Sequence, residues 1–330
     1  MREITFGAMI PQGWIYDLPS EAAPEEQYDL IVEVAKALDR LGFASGWFYD
    51  HFHPVPEPAP LSVFECWTMT TAIAALTQRL RVGQMVTANS YRNPTLLAKM
   101  AACVDVLSRG RLEFGLGAGW FEHEYLGYGY EYPSPAVRIG MMDEAVQIIR
   151  RCWTEEQVHF EGKHYRLAGA YCDPKPVQEP HPPITIGGGG EQLTLRSVAK
   201  WADRSNFFGD PEIFLRKSRI LDDHCRAVGR DPGEIERSHN RSVVLAEGKR
   251  EAQAKGTGFA RRLRQNPEEY AARTMIGDPE GIAALLGRFL DVGVTYFVVY
   301  FPDAWEITPL ELFARDVMPR LRDMAQERAS

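Results

Sequence analysis

Short apolar runs alternate with stretches whose apolar residues recur at helical spacing, and this rhythm governs most of the chain. Residues 4–10 read as a first strand. Ile31, Val34, Ala35, Leu38 and Leu41 then form one stripe on a helix over residues 25–41, which Gly42 stops. Residues 44–49, 80–87 and 112–116 read as the second, third and fourth strands, with helices over 94–107 and 137–153. The rhythm breaks over residues 154–183, where Pro174, Pro176, Pro180, Pro182 and Pro183 crowd the chain. That segment reads as an insertion with one small hairpin around Gly162, since a connection this long is usually functional or covering. The alternation resumes with strands over 184–186, 204–208, 236–245 and 296–301 and helices over 193–202, 211–228, 279–292 and 309–324.

Eight strands, each with a helix after it, predict an α/β fold: a (β/α)8 barrel carried by residues 1–330 as a single domain. An open doubly wound sheet is the alternative, and the count of eight favours the barrel. The formal net charge is −8 and no basic block occurs, which disfavours nucleic acid as a partner. An anionic cofactor remains compatible, because backbone N–H groups bind phosphate on an acidic protein. Cys66, Cys103, Cys152, Cys172 and Cys225 are odd in number and form no C-x-x-C pair, as expected of free thiols in a reducing cytosol. No apolar run reaches the length of a membrane span, and the first residues lack a signal-peptide core. A cytoplasmic protein acting on a small molecule is the resulting expectation.

Active sites of such barrels lie at the C-terminal ends of the strands, and four segments fall there. Asp50-His51-Phe52-His53 follows the second strand; His is the usual general base near neutral pH, and an adjacent carboxylate can orient it. A hydrogen-bonded structural His is the bland reading, and the absence of a third ligand at diagnostic spacing argues against a metal. The third strand ends in polar residues up to Asn89, a ligand contact or merely a turn Asn. The fourth carries Gly115, Gly117 and Gly119 before Trp120 and Glu124; glycines there let the backbone approach a flat or anionic ligand. The spacing does not fit a dinucleotide fingerprint. Finally, Gly187, Gly188, Gly189 and Gly190 precede a helix and form an anion nest. Trp14, Tyr16, Trp47, Tyr91, Trp120 and Trp305 are candidates to wall an apolar pocket.

Taken in order, several motifs resemble the luciferase-like flavin and deazaflavin oxidoreductase family. They are Asp50-His51-Phe52, the run from Val86-Thr87 to Asn93-Pro94, Asp105 to Arg111, Gly117-Ala118-Gly119-Trp120, and Phe160 to Tyr165. Cys152 to Glu155, Pro174-Lys175-Pro176, Pro182 to Gly190, Ala202-Asp203, Ile276 to Pro279 and Gly293-Val294 complete the set. The Asp-His-Phe and Gly-Ala-Gly-Trp versions resemble the branch that uses coenzyme F420, an 8-hydroxy-5-deazaflavin. The resemblance implies an F420-dependent hydride transfer to or from an organic substrate, with an FMN-dependent monooxygenase as the alternative. It also implies a homodimer packed through early helices and a non-proline cis peptide at Met85-Val86 behind the cofactor ring.

Residue roles follow from the same resemblance. His51 is expected at the hydride-transfer centre as proton acceptor or donor. Asp50 and Asn89 are expected to contact the ring or its side chain, His123 to make a polar cofactor contact, and Met85, Val86 and Gly117 to be among the cofactor-binding residues. Gly187 to Gly190 are expected to hold the phosphate. One departure stands out. The sugar-phosphate dehydrogenases of this branch carry an acid where Trp120 stands and a tryptophan where Val55 stands, which points away from a sugar phosphate here. The general acid is then unassigned, with Glu124 as the fallback candidate.

Overall fold

In the computed structural model, which describes residues 3–329, eight parallel strands close into a barrel. They are β1 (Thr5–Met9), β2 (Ser45–Phe48), β3 (Arg81–Gln84), β4 (Leu112–Gly117), β5 (Ile184–Gly187), β6 (Arg204–Asn206), β7 (Glu236–Leu245) and β8 (Tyr296–Tyr300). Each pairs with the next; β7 pairs with both β6 and β8, and β8 returns to β1 with Thr5 opposite Tyr296. This is the (β/α)8 barrel that the periodicity predicts.

The helices form where the stripes predict them. α1 (Pro24–Leu41) buries Ile31, Val34, Ala35 and Leu38, and Gly42 ends it in the left-handed region at φ 82°. α2 is Cys66–Leu76, and the periodicity gives no bounds for it. α3 (Pro94–Ser108) is capped by the Asn93 side chain and ends where Arg109 and Gly110 both take positive φ, which turns the chain straight into β4. α4 (Pro135–Thr154) starts slightly earlier than predicted. After it comes the predicted hairpin, Val158–Glu161 against Arg166–Ala170. The Glu144 carboxylate accepts the amides of Lys163, His164 and Tyr165 and so pins the hairpin's turn to α4.

Three departures from the sequence reading matter. The third strand stops at Gln84, and only Thr87–Ala88 rejoins the sheet, against β4. Residues 249–262 and 267–273 are helical, and Thr274–Gly277 adds an extra parallel strand to β7 outside the barrel. The final helix is interrupted by a π-turn at Phe313–Val317.

The barrel is plugged at the N-terminal ends of its strands. Glu113 lies between Arg204, at 2.7 Å, and Arg81, and Arg204 in turn reaches Glu236. The Arg204 guanidinium also lies over the Tyr296 ring, 4.1 Å from its centroid. Burial would push the Glu113 carboxyl up, but the two guanidinium groups hold it below the usual carboxylate range. With that end filled by paired charges, the open space lies at the C-terminal ends.

Candidate active site

Beyond β2 the chain passes through Tyr49 and Asp50 to His51. Asp50 is fully committed: it accepts from the Ala88 amide at 2.9 Å, from both terminal nitrogens of Arg92 at 2.6 and 3.1 Å, and from the Cys66 thiol at 3.2 Å. It thereby fastens the end of β2 to the segment after β3 and to the start of α3. The Asp50, Glu65 and Cys66 ligand atoms lie within 4.8 Å of one another, but Arg92 already pairs with both carboxylates. The cluster is therefore an ion-pair joint, and Asp50, which also lines the cleft, fastens its wall.

His51 is held by Glu124. The carboxylate takes His51 Nδ1 at 2.8 Å, the Phe52 and His53 amides at 2.6 and 2.9 Å, and the Tyr91 hydroxyl at 2.7 Å. Burial alone would raise the Glu124 pKa; the bonds from His51, His53 and Tyr91 outweigh it and hold the carboxyl below its ordinary value. An ionised carboxylate with four donors has no proton to give, which corrects the expectation that Glu124 is a general acid. It instead fixes the imidazole tautomer. With Nδ1–H donated to Glu124, Nε2 is left as the acceptor. The ring is stacked on Trp14, with centroids 4.0 Å apart and planes 3° from parallel, and meets Trp120 and Phe121 edge-on.

Met85-Val86 is a cis peptide, as the resemblance implies. The Val86 side chain wedges between the ends of β4 and β5. A Cβ on Gly117 would sit 2.5 Å from Val86 Cγ2, and one on Gly187 would sit 2.9 Å from Val86 Cγ1. A Cβ on Gly115 would overlap the Gln84 carbonyl oxygen. These glycines are small so that protein atoms can approach, and the ligand-approach reading of Gly115 is corrected on that ground. The result is a floor made of Met85 and Val86.

The later glycines differ. Gly188 has φ 114°, and its amide donates to Asn206 O at 2.9 Å. Among the described residues, no acceptor takes the amides of Gly189 or Gly190. Helix α5 (Thr194–Trp201) starts just beyond. A Cβ on Gly189 would collide with Lys217 Nζ, so the ammonium lies directly over this loop, and no described carboxylate pairs with it. Sequence reasoning missed Lys217; it stands on α6 (Pro211–Ala227), and only barrel closure brings it here.

Floor, glycine loop and His51 surround one cleft of about 420 Å³, also lined by Trp14, Tyr49, Trp120 and Arg138. Of the other predicted wall residues, Tyr91 lines the cleft, Trp47 is buried in the barrel, and Tyr16 and Trp305 line a separate groove. Two other residues named by the resemblance do not line this cleft. Asn89 lies outside the cleft, because the one-turn helix Asn89–Tyr91 aims its amide at the Tyr165 hydroxyl of the hairpin, 3.2 Å away. His123 faces outward, since the same short helix, Glu122–Gly127, turns Glu124 inward; its Nδ1 meets His53 Nδ1 at 2.9 Å.

Residues 15–280 match the family described as luciferase-like monooxygenase. An F420-dependent glucose-6-phosphate dehydrogenase of Mycolicibacterium gilvum is 28% identical over 332 residues, covering 92% of this chain and 95% of the relative. Among solved structures, an F420-dependent secondary alcohol dehydrogenase in complex with an F420-acetone adduct superposes with a TM-score of 0.81 at 21% identity, over 98% of this chain and 100% of that one. A monooxygenase from Streptomyces bottropensis gives a TM-score of 0.80 at 21% identity, over 96% and 99% of the two chains. The solved structures share the barrel fold.

Proposed function

The chain belongs to the luciferase-like monooxygenase family, and we propose that within it the protein is an oxidoreductase working with coenzyme F420. The observation that carries this reading is one cleft with a tautomer-fixed His51 at one end and the open N–H groups of Gly189 and Gly190 at the other. The names of the curated relatives, F420-dependent dehydrogenases, support the same cofactor.

The residues present fit such a group. The open amides of Gly189 and Gly190, at the start of α5 and beneath the Lys217 ammonium, suit a phosphate. The Met85 and Val86 floor gives a planar ring an apolar backing. When bound, the deazaflavin would supply the hydride chemistry. The protein's own part is positional and electrostatic. Trp14 and Trp120 screen His51 from water. His51 Nε2 takes a proton from the substrate oxygen, or returns it, and the Glu124 carboxylate stabilises the imidazolium that results. Glu124 is thus a positioning residue. A homodimer belongs to the same reading; Leu76, Leu96 and Leu107, all exposed on α2 and α3, are faces that a second copy would cover.

A titration followed by tryptophan fluorescence tests the proposal with F420, FMN and NADP in parallel. F420 is expected to quench, and His51→Ala to keep F420 affinity within about twofold while turnover falls by about 10²-fold or more. Quenching by reduced FMN alone, with oxygen uptake, would establish the FMN monooxygenase instead.

A further inference from the structure

We infer that the outer side of the barrel wall carries a binding site for a small organic carboxylate, built on Arg241 and Arg288 and independent of the cofactor reading. Along β7 successive side chains alternate between the two sides of the wall. Asn240 points inward, where its Nδ2 meets Met9 Sδ at 3.9 Å. His239 packs outward, with its ring 4.1 Å from that of Phe289, and Arg241 shares that side. There Arg241 lines a cavity of about 280 Å³, bounded by the start of α6, the extra strand Thr274–Gly277 and the helices Pro267–Arg273 and Pro279–Leu290. No residue of this cavity lines the cleft.

The protein does not provide for the Arg241 guanidinium. Its Nε is buried without a hydrogen-bond partner, and among the described residues no carboxylate lies within ion-pair distance of it. Asp210 faces it only at longer range, and Asp210 Oδ1 already accepts from the Ile213 amide at 2.9 Å as the cap of α6. Burial lowers the pKa of the guanidinium and the Asp210 charge does not restore it, yet an arginine stays charged. Arg288 lines the same cavity, and among the described residues it too has neither carboxylate nor acceptor. Two guanidinium groups and one carboxylate leave one positive charge uncompensated. A buried donor without an acceptor is costly, and native structures normally supply one from protein, water or ligand.

A monocarboxylate meets each of these demands. It brings one negative charge, and its two oxygens match the fork of a guanidinium. A phosphate monoester would bring a second negative charge beside Asp210. The rest of the wall, including Met275, Ile276, Leu285 and Phe289, is an apolar surface for a hydrocarbon body. The volume lies at the small end of ligand pockets, which keeps that body to about one ring.

Calorimetric titration of the full chain at low ionic strength tests the site with benzoate, acetate and benzyl alcohol. We expect benzoate to bind, acetate to bind about tenfold more weakly for want of the apolar body, and benzyl alcohol about tenfold more weakly or less for want of the charge. Arg241→Met should weaken benzoate about tenfold or more and Arg288→Ala about threefold, while Lys217→Ala leaves it unchanged. Because Arg241→Met removes a charge that nothing pairs, the Tm of the ligand-free variant should not fall. Absence of benzoate binding, equal binding of benzyl alcohol, or affinity that survives Arg241→Met or Arg288→Ala overturns the site. Affinity lost in Lys217→Ala would place the anion at the glycine loop and overturns it as well. A ligand-free Tm several degrees lower in Arg241→Met would show that the protein itself satisfies the guanidinium, with the same consequence.

Discussion

Gly115 and Gly117, at the end of β4, face protein: one is pressed against the Gln84 carbonyl and the other against Val86. Gly189 and Gly190, after β5, line the cleft with their amides open; Lys217 Nζ stands at Gly189 and Thr194 Oγ1 at Gly190. In sequence the two tracts look equivalent. In the folded chain the first tract meets a backbone carbonyl and the branched Val86 side chain at the place of a Cβ, whereas the second meets chiefly the Lys217 ammonium and the Thr194 hydroxyl and keeps its amides open. The first shapes a floor and should govern stability. The second should govern affinity for an anion, with little effect on folding.

The sharpest break between them is Gly115→Ala. Its methyl would meet the Gln84 carbonyl oxygen, a backbone atom with no free rotor to turn aside. Overpacking of this kind costs about 3 kcal/mol, which at this chain length lowers Tm by roughly 4 °C. Calorimetry of the purified variant measures it. A melting temperature equal to wild type would place Gly115 with the affinity tract and dissolve the distinction.

That distinction explains what the sequence makes legible. The eight strands stand out because each is a short buried run between stripes such as Ile31, Val34 and Leu38 on α1. α2 escapes notice because CWTMTTAIAAL has almost no polar face to set against its apolar one. The break in β3 is invisible because Met85 and Val86 simply prolong an apolar run. His51 is legible from its place after a strand. The four donors to Glu124 come from residues 51–53 and from Tyr91, so its role as an anchor exists only in three dimensions. Lys217 gives no local signal at all, since α6 reads as an ordinary amphipathic helix and its partner loop is remote in sequence.

Lys217→Ala sharpens the other side of the comparison. The ammonium is partly exposed and pairs with no described carboxylate, so its removal strands no buried charge. We expect Tm to stay within about 1 °C of wild type and the F420 dissociation constant to rise about tenfold, the size of one partly exposed charge-assisted contact. Tryptophan quenching at fixed ionic strength measures the second number. An unchanged dissociation constant would show that the amides of Gly189 and Gly190 hold the phosphate without help.

The smallest effect separates two ways in which Gly189 can serve that phosphate. A methyl at position 189 collides with Lys217 Nζ, the far end of a flexible side chain, and lies 3.2 Å from Phe207 Cβ, which a shift of a few tenths of an ångström relieves, so Gly189→Ala should fold with at most a small loss of stability. If the glycine matters by giving Lys217 its seat, the substitution displaces the ammonium and weakens F420 binding about threefold, less than losing the lysine. In a Lys217→Ala background the same substitution should then cost nothing further, because the group it displaces is gone; sites that share one interaction fail to add in this way. If Gly189→Ala weakens binding equally in both backgrounds, its methyl is meeting the ligand itself. The glycine would then serve by direct backbone approach, and Lys217 would act on the phosphate independently.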